Sequence, residues 1–488
     1  VHYFEPEKWN DPVPCSNAEC GAEGSKFDLP FNRAILGAPY YITQVVPHLL
    51  QYCPDIEQDE IDEAVKNFSD PEFVEGEFKE LKGCTPLDMP AKGKRLITFT
   101  DSRQGTARLS VKMQQEAERS RLRGAVVTSL IEKTKDTFQN QNEDPSLKFL
   151  REKLKVAMDQ NNQIMIDLWQ KEIDDLKITN NKSNLIEVTW EDLYTLLAKD
   201  FDFKNGILLA NRHIAGSVFE DKGSIRLAQM LLTREFSRRP KNANSLETLG
   251  LVKVSYKGLN EQNDLPNHWK ESGLTIQDWQ NFIKVILDFY IRENTVIDLA
   301  DEWKQWMGGP VRPKHVVSFE LRGKIEKNKD GSKNNSILVW PLASETPNHR
   351  LVKLLVLGAN LDLSLKQHKN IADDWLKKAW KVLTTEFLTD DGNNRYHLRK
   401  EKFTFSLMDK VFLCPITHRL MDTTFKGLTP YLPRSLPKNK ERYLTKSLAF
   451  PKLWTYSLQN FNELKEDPDL QLLRSLNLWT DLSDSAVL

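Results

Sequence analysis

Four consecutive polar residues, Asp101, Ser102, Arg103 and Gln104, stand between an apolar run and a long segment of helical period. Leu96, Ile97 and Phe99 before them suit a buried strand. Ala107, Leu109, Val111 and Met113 after them lead into an uninterrupted Gln/Glu/Arg-rich helix. Asp101 or Ser102 can cap that helix by accepting from its first N–H groups. The elbow then sets a positive helix end and the Arg103 guanidinium on one side, a place for an anion and for a phosphate in particular. The same residues also fit a surface loop in which Asp101 caps the helix and pairs with Arg103.

A second basic group lies at Arg234, Arg238 and Arg239, just before Pro240-Lys241 and followed by Asn242, Asn244 and Ser245. Arg234 and Arg238 share a helical face, and the mixture suits phosphate contact at a helix end; pairing with Glu235 and Glu247 suits it equally. Arg119, Arg121 and Arg123 fall within one and a half turns, with Arg119 and Arg123 on one face, and read first as a solvated face with glutamates nearby. Cys15-x4-Cys20 offers half of a tetrahedral zinc site, with Cys53 and Cys84 as distant partners, although a zinc ribbon normally shows two short knuckles. Loop or buried cysteines are the alternative. The segment Cys414-Pro415-Ile416-Thr417-His418-Arg419 has a thiol and an imidazole but no third group at a recognisable spacing, so it reads as a buried turn.

The absences are as informative. There is no G-x-x-x-x-G-K-[ST] phosphate cradle, no D-E-x-H acid pair for magnesium, and no Q-x-x-G-R-x-G-R arginine finger. The nine histidines show no H-x-E or H-E-x-x-H arrangement, which removes deaminase and metalloprotease chemistry. At 488 residues, 40% hydrophobic and 28% charged, the chain is that of a globular protein of two to four domains. A net charge of −1 means that any nucleic-acid binding comes from local patches. Five cysteines argue against a disulfide framework, so a reducing, cytoplasmic setting is expected, and no apolar run approaches the ~20 residues that span a bilayer. The opening on Val1 with no basic-then-apolar leader is expected of an internal piece or a trimmed chain. Most of the twelve tryptophans are expected in the core; one or two could stack bases.

The elements around these residues read as follows. Gln58–Glu80 predicts an acidic surface helix. Ser102 to about Phe138 and Ser146–Leu176 predict a helical hairpin broken at Gln139–Pro145, and Trp190–Leu197 a short amphipathic helix. Ala215–Ser237 and Thr275–Asn294 are helical; between them Gly250 turns the chain into a strand over Leu251–Tyr256, a combination also found in winged helices. Val316–Leu321 and Ile337–Trp340 are strand-like pieces around a polar hairpin with an Asp330-Gly331 turn. Ile371–Leu388 is helical and Phe403–Leu413 a strand. Pro430–Pro451 is a basic connector punctuated by proline.

The strand ending in TDSRQ and running into a long helix resembles the start of the second motor domain of large superfamily 2 DEAD/DEAH-box helicases, above all those of bacterial antiphage defence systems of the Druantia and DISARM kinds. The stretches FNRAILGAPYYITQVVPHLL, LLTREFSRRPKNANSLETLGLVKVSY, CPITHRLMDTTFKGLTPY and NLWTDLSD agree in order. The resemblance implies an α/β, predominantly helical chain: a partial RecA-like element with a large helical insertion and a possible winged-helix-like module. The segments expected are a cysteine-containing entry segment (1–92), the first RecA-like strand and helix (93–138), a helical hairpin (139–200), a helical or winged-helix-like insertion (201–309), a mixed α/β insertion (310–430) and a basic connector with a return segment (431–488). It implies a part of an ATP-dependent DNA helicase or translocase, with Asp101, Ser102, Arg103, Gln104, Arg234, Arg238 and Arg239 on the nucleic-acid backbone and a defence-system subunit as a possible partner. ATP and magnesium would belong to the complete motor, with zinc possible at Cys15, Cys20, Cys53 and Cys84; this chain alone is expected to have no ATPase activity. A non-catalytic scaffold and an RNA-directed helicase are the alternatives.

Overall fold

The structure, a computed structural model, describes residues 52–67, 85, 118–134, 145–159, 162, 165–166, 168–170, 172, 186–200, 203, 223–237, 245–300, 303, 313–325, 334–417, 419–433 and 440–449. The chain divides into two units, 1–117 and 118–488. In the first, α1 (Gln58–Asn67) carries Asp59 and Glu60 in its first turn, where acidic groups complement the helix end. Ile56 and Ile61 are buried while Asp59, Glu60 and Asp62 are exposed, as an acidic surface helix requires.

The second unit is mixed α/β. Its helices are α2 (118–134), α3 (Pro145–Asp159), α4 (Trp190–Lys199), α5 (Gly223–Phe236), α6 (Ile276–Ile286), α7 (Arg350–Gly358) and α8 (Lys366–Val382). Its strands are β1 (Val188–Thr189), β2 (Val252–Tyr256), β3 (His315–Val317), β4 (Ile337–Val339), β5 (Leu388–Asp390), β6 (Tyr396–Leu398), β7 (Phe403–Leu407), β8 (Lys410–Leu413), β9 (Leu420–Met421) and β10 (Lys446–Ala449). Thr275 opens α6 with a capping box: its hydroxyl accepts from the Asp278 N–H while Asp278 accepts from the Thr275 N–H. Both α6 and α8 widen into π turns before they end, at Leu287–Arg292 and Leu383–Phe387.

Three small sheets result among the described residues. β7, buried along its whole length although Thr404 and Ser406 are polar, is the centre of an antiparallel sheet of order β1-β7-β2. The order β4-β3-β6-β5 makes a second and β10-β8-β9 a third. Several expectations change here. Phe403–Leu413 is two strands in two sheets, because the chain leaves the first sheet at Met408, whose N–H still reaches Leu251 O, and turns at exposed Asp409. The strands flanking Asp330-Gly331 pair in parallel, His315 opposite Ile337, so they are not the two arms of one hairpin; the expected Asp330-Gly331 turn itself lies outside the described residues. The expected strand over Val316–Leu321 bends after Val317 into a 3-10 turn, Phe319–Leu321. β2 finds its partner in β7, far along the chain, and no local wing hairpin forms around it among the described residues.

The core is aromatic. Trp269 packs edge-on against Trp279 (5.1 Å between ring centres) and Trp375 (4.7 Å), and Phe425 lies against Trp269 and Phe282. The indole N–H groups of Trp269, Trp340 and Trp375 donate to the carbonyls of Thr275, Leu376 and Asn267, so these rings are buried at no polar cost. α7 approaches the cluster at Gly358, where a Cβ would lie 2.3 Å from the Phe425 ring. Gly358→Ala is therefore expected to lower stability by about 1–3 kcal/mol through overpacking, read as a reduced urea midpoint at unchanged m-value.

Candidate functional site

Of the residues singled out from the sequence, Asp101, Ser102, Arg103, Gln104, Arg238, Arg239, Cys15, Cys20 and Cys84 lie outside the described residues. Cys53 is half-buried just before α1 and forms no disulfide. Arg234 lies in the last turn of α5, at the head of a polar seam that crosses the second unit.

The seam begins between α2 and α5. Arg119 and Arg123, one helical turn apart, both face Glu235: Arg123 Nε donates to its carboxylate at 2.8 Å and Arg119 lies at 3.7 Å. The same carboxylate accepts the N–H of Leu246, so it also fixes the segment after α5. Arg234 is ion-paired to Glu118 at 3.6 Å with its side chain only 15% exposed. Burial draws its guanidinium below the usual arginine range, against the pull of Glu118. Arg121 is more open, 3.9 Å from Asp200. Structural pairing, one of the two sequence readings for this basic group, is thus present at Arg234, with Glu118 as the partner in place of Glu235 or Glu247.

Deeper in, the seam closes on Arg292, in the π turn after α6. Its five N–H donors meet five acceptors. Nε donates to Tyr256 Oη (2.7 Å), Nη1 to Phe236 O (3.2 Å) and Glu247 Oε2 (2.9 Å), and Nη2 to Glu247 Oε1 (2.7 Å) and Asp288 Oδ1 (2.7 Å). Tyr256 Oη donates onward to Asp288 Oδ1 at 2.8 Å. Lys284, one turn earlier, bridges Asp288 (2.8 Å) and Asp422 (2.6 Å). Burial opposes the charge on Arg292, but Glu247, Tyr256 and Asp288 outweigh it and hold the guanidinium protonated well above its ordinary range. Burial, with Asp288 beside it, pushes the Tyr256 phenol far up, so it stays a neutral donor. Chemically this is a cross-link: the guanidinium has every donor committed, which leaves it neither an anion site nor an acid–base group. The signal in the sequence was Lys284-x3-Asp288-x3-Arg292, three charges at helical spacing inside the apolar run FIKVILDFYIR.

A second polar centre caps α7. His349 Nδ1 accepts from the Leu351 N–H, its ring packs edge-on to Tyr290 at 5.2 Å, and Tyr290 Oη donates to Val339 O. Burial, then Arg350, Arg322 and Lys353, push the imidazole down from 6.5 to about 4. Cys414 is buried, its N–H donating to Arg419 O and its Sγ 3.2 Å from Thr429 Oγ1, in a tight turn between β8 and β9. Among the described residues no group of three or more His, Cys, Asp or Glu is placed to hold a metal ion, and no helix is long and apolar enough to cross a membrane.

Two outcomes follow. Arg292→Met takes the bidentate guanidinium from buried Glu247 and leaves Asp288 with Lys284 as its cation, and is expected to cost about 3–5 kcal/mol in denaturant unfolding, with Arg292→Lys restoring little because a single ammonium cannot reach acceptors spread around a planar fork. His349 has a folded-state pKa below its unfolded one, so its contribution is present above about pH 6.5 and is lost as pH falls towards 4. Unfolding curves should lose at most about 3 kcal/mol over that window, and His349→Asn, which keeps a capping oxygen, should flatten the loss.

No protein-family model, curated protein or solved structure matches this chain.

Proposed function

We propose that this chain is part of an ATP-dependent DNA helicase or translocase of the antiphage-defence kind, in which the Asp101–Gln104 elbow grips the nucleic-acid backbone and the segments after it form an insertion beside the path of the strand. The observation that carries the reading is the TDSRQ strand-to-helix pattern, whose charged mouth matches the chemistry of a phosphate contact. It is supported by the helix over 118–134, the later part of the long helix expected to follow the elbow. In this reading residues 93–138 begin a RecA-like motor domain, the nucleotide and magnesium belong to the complete motor, and Arg238 and Arg239 extend the basic surface.

A second reading, a non-catalytic scaffold of a defence complex, is favoured by one specific observation: Arg119, Arg123 and Arg234 are engaged with Glu235 and Glu118. Filter binding of single- and double-stranded DNA oligonucleotides over a salt titration separates the two. The motor reading expects affinity that falls steeply with salt, and a slope reduced by about 1 in Arg103→Ala. No binding at low salt would leave the scaffold. Preference for RNA over DNA in competition would make the motor RNA-directed.

A further inference from the structure

The four-stranded sheet holds a pair of histidines that nothing above uses. β3 and β6 run antiparallel with Val316 opposite Tyr396, so His315 and His397 are direct cross-strand partners on one face of the sheet. The ring centres are 6.3 Å apart with planes inclined at 75°. On both rings Nδ1 is buried and has no hydrogen-bond partner. One such nitrogen is a local oddity; two on facing residues of one sheet call for an explanation, and an ion shared between them is one of the few that satisfies both. The rest of the row does not do so. Ile337, opposite His315, is apolar, and Thr389, opposite His397, already accepts from Arg399 Nε at 3.1 Å.

We propose that His315 and His397 form a two-imidazole site for a divalent transition-metal ion of tetragonal preference, Cu2+ foremost. The geometry sets the preference. Two imidazole nitrogens each about 2.0–2.1 Å from one ion place their ring centres at most about 6.4 Å apart. The observed separation lies at the open end of that range, which fits ligands on opposite sides of a shared ion. Tetragonal Cu2+ accepts such trans ligands, and a tetrahedral ion does not. Copper also stands highest among the divalent ions for nitrogen donors. With no third protein ligand in place among the described residues, water completes the coordination, and the Asp391 carboxylate is near enough to act on His315 electrostatically. The inference is independent of any nucleic-acid role.

The test is Cu2+ titration of the whole chain by calorimetry, with electron paramagnetic resonance of the bound ion. The expected result is one Cu2+ site whose spectrum shows two nitrogen ligands. That site should be weakened at least tenfold in His315→Gln and in His397→Gln, while Zn2+ binding is the same in all three proteins. A copper isotherm unchanged by both substitutions overturns the site; an equal loss of Zn2+ binding overturns the tetragonal geometry. A measurement on the unsubstituted protein guards against variants that fold poorly. Bound Cu2+ with ascorbate and oxygen oxidises the side chains that hold it. Peptide mass mapping should find 2-oxo-histidine at His315 and His397, and oxidation confined to other positions refutes the proposal.

Discussion

A guanidinium taken out of water has to find a partner for each of its donors, and the second unit is arranged around meeting that demand at Arg292. The acceptors come from the end of α5 (Phe236 O), the turn after it (Glu247), β2 (Tyr256) and the π turn itself (Asp288). None of these segments can shift without stranding a charge. The widening of α6 into a π turn falls on the residues that carry Asp288 and Arg292, so the irregular helix and the polar network occupy one place. Lys284 carries the same logic outward to Asp422, and Glu235 carries it to α2.

Around this polar axis the apolar core does the ordinary work of burial, in large rings more than in aliphatic chains. Trp190, Phe236, Phe403 and Phe405 surround the sheet centred on β7, and Trp269, Trp279, Trp375, Phe282 and Phe425 fill the space beneath α7 and α8. Such rings bury much area for little side-chain entropy, but they tolerate little intrusion, which is why α7 has a glycine against Phe425.

The helices were the legible part of the fold. Trp190–Leu197, Thr275–Asn294 and Ile371–Leu388 lie over α4, α6 and α8, because amphipathic periodicity and a capping residue are local signals. The strands Leu251–Tyr256 and Ile337–Trp340 were also in place, but their partners were not: β2 pairs with β7 and β3 runs parallel to β4, choices made by long-range packing that no local turn signal encodes. The charged residues divide in the same way. The Arg119/Arg123 face was visible from spacing, whereas the acceptors that occupy it, and the five-fold partnership of Arg292, depend on segments distant in sequence. The histidine pair was invisible for that reason: 81 residues of chain lie between His315 and His397, which only sheet register brings together.

The pairing of β7 also bears on how the chain is made. Its neighbours, β1 and β2, leave the ribosome long before Phe403–Leu407 is synthesised. At elongation rates of about 5–20 residues per second that interval is on the order of ten seconds. Throughout it, Trp190, Val252, Val254 and Tyr256 have no central strand to cover them, and the acidic partners of Arg292 are assembled around an unfinished sheet. A nascent chain with so much uncovered apolar surface is a natural client for holding chaperones, and production in a host poor in them would favour inclusion bodies over the native protein.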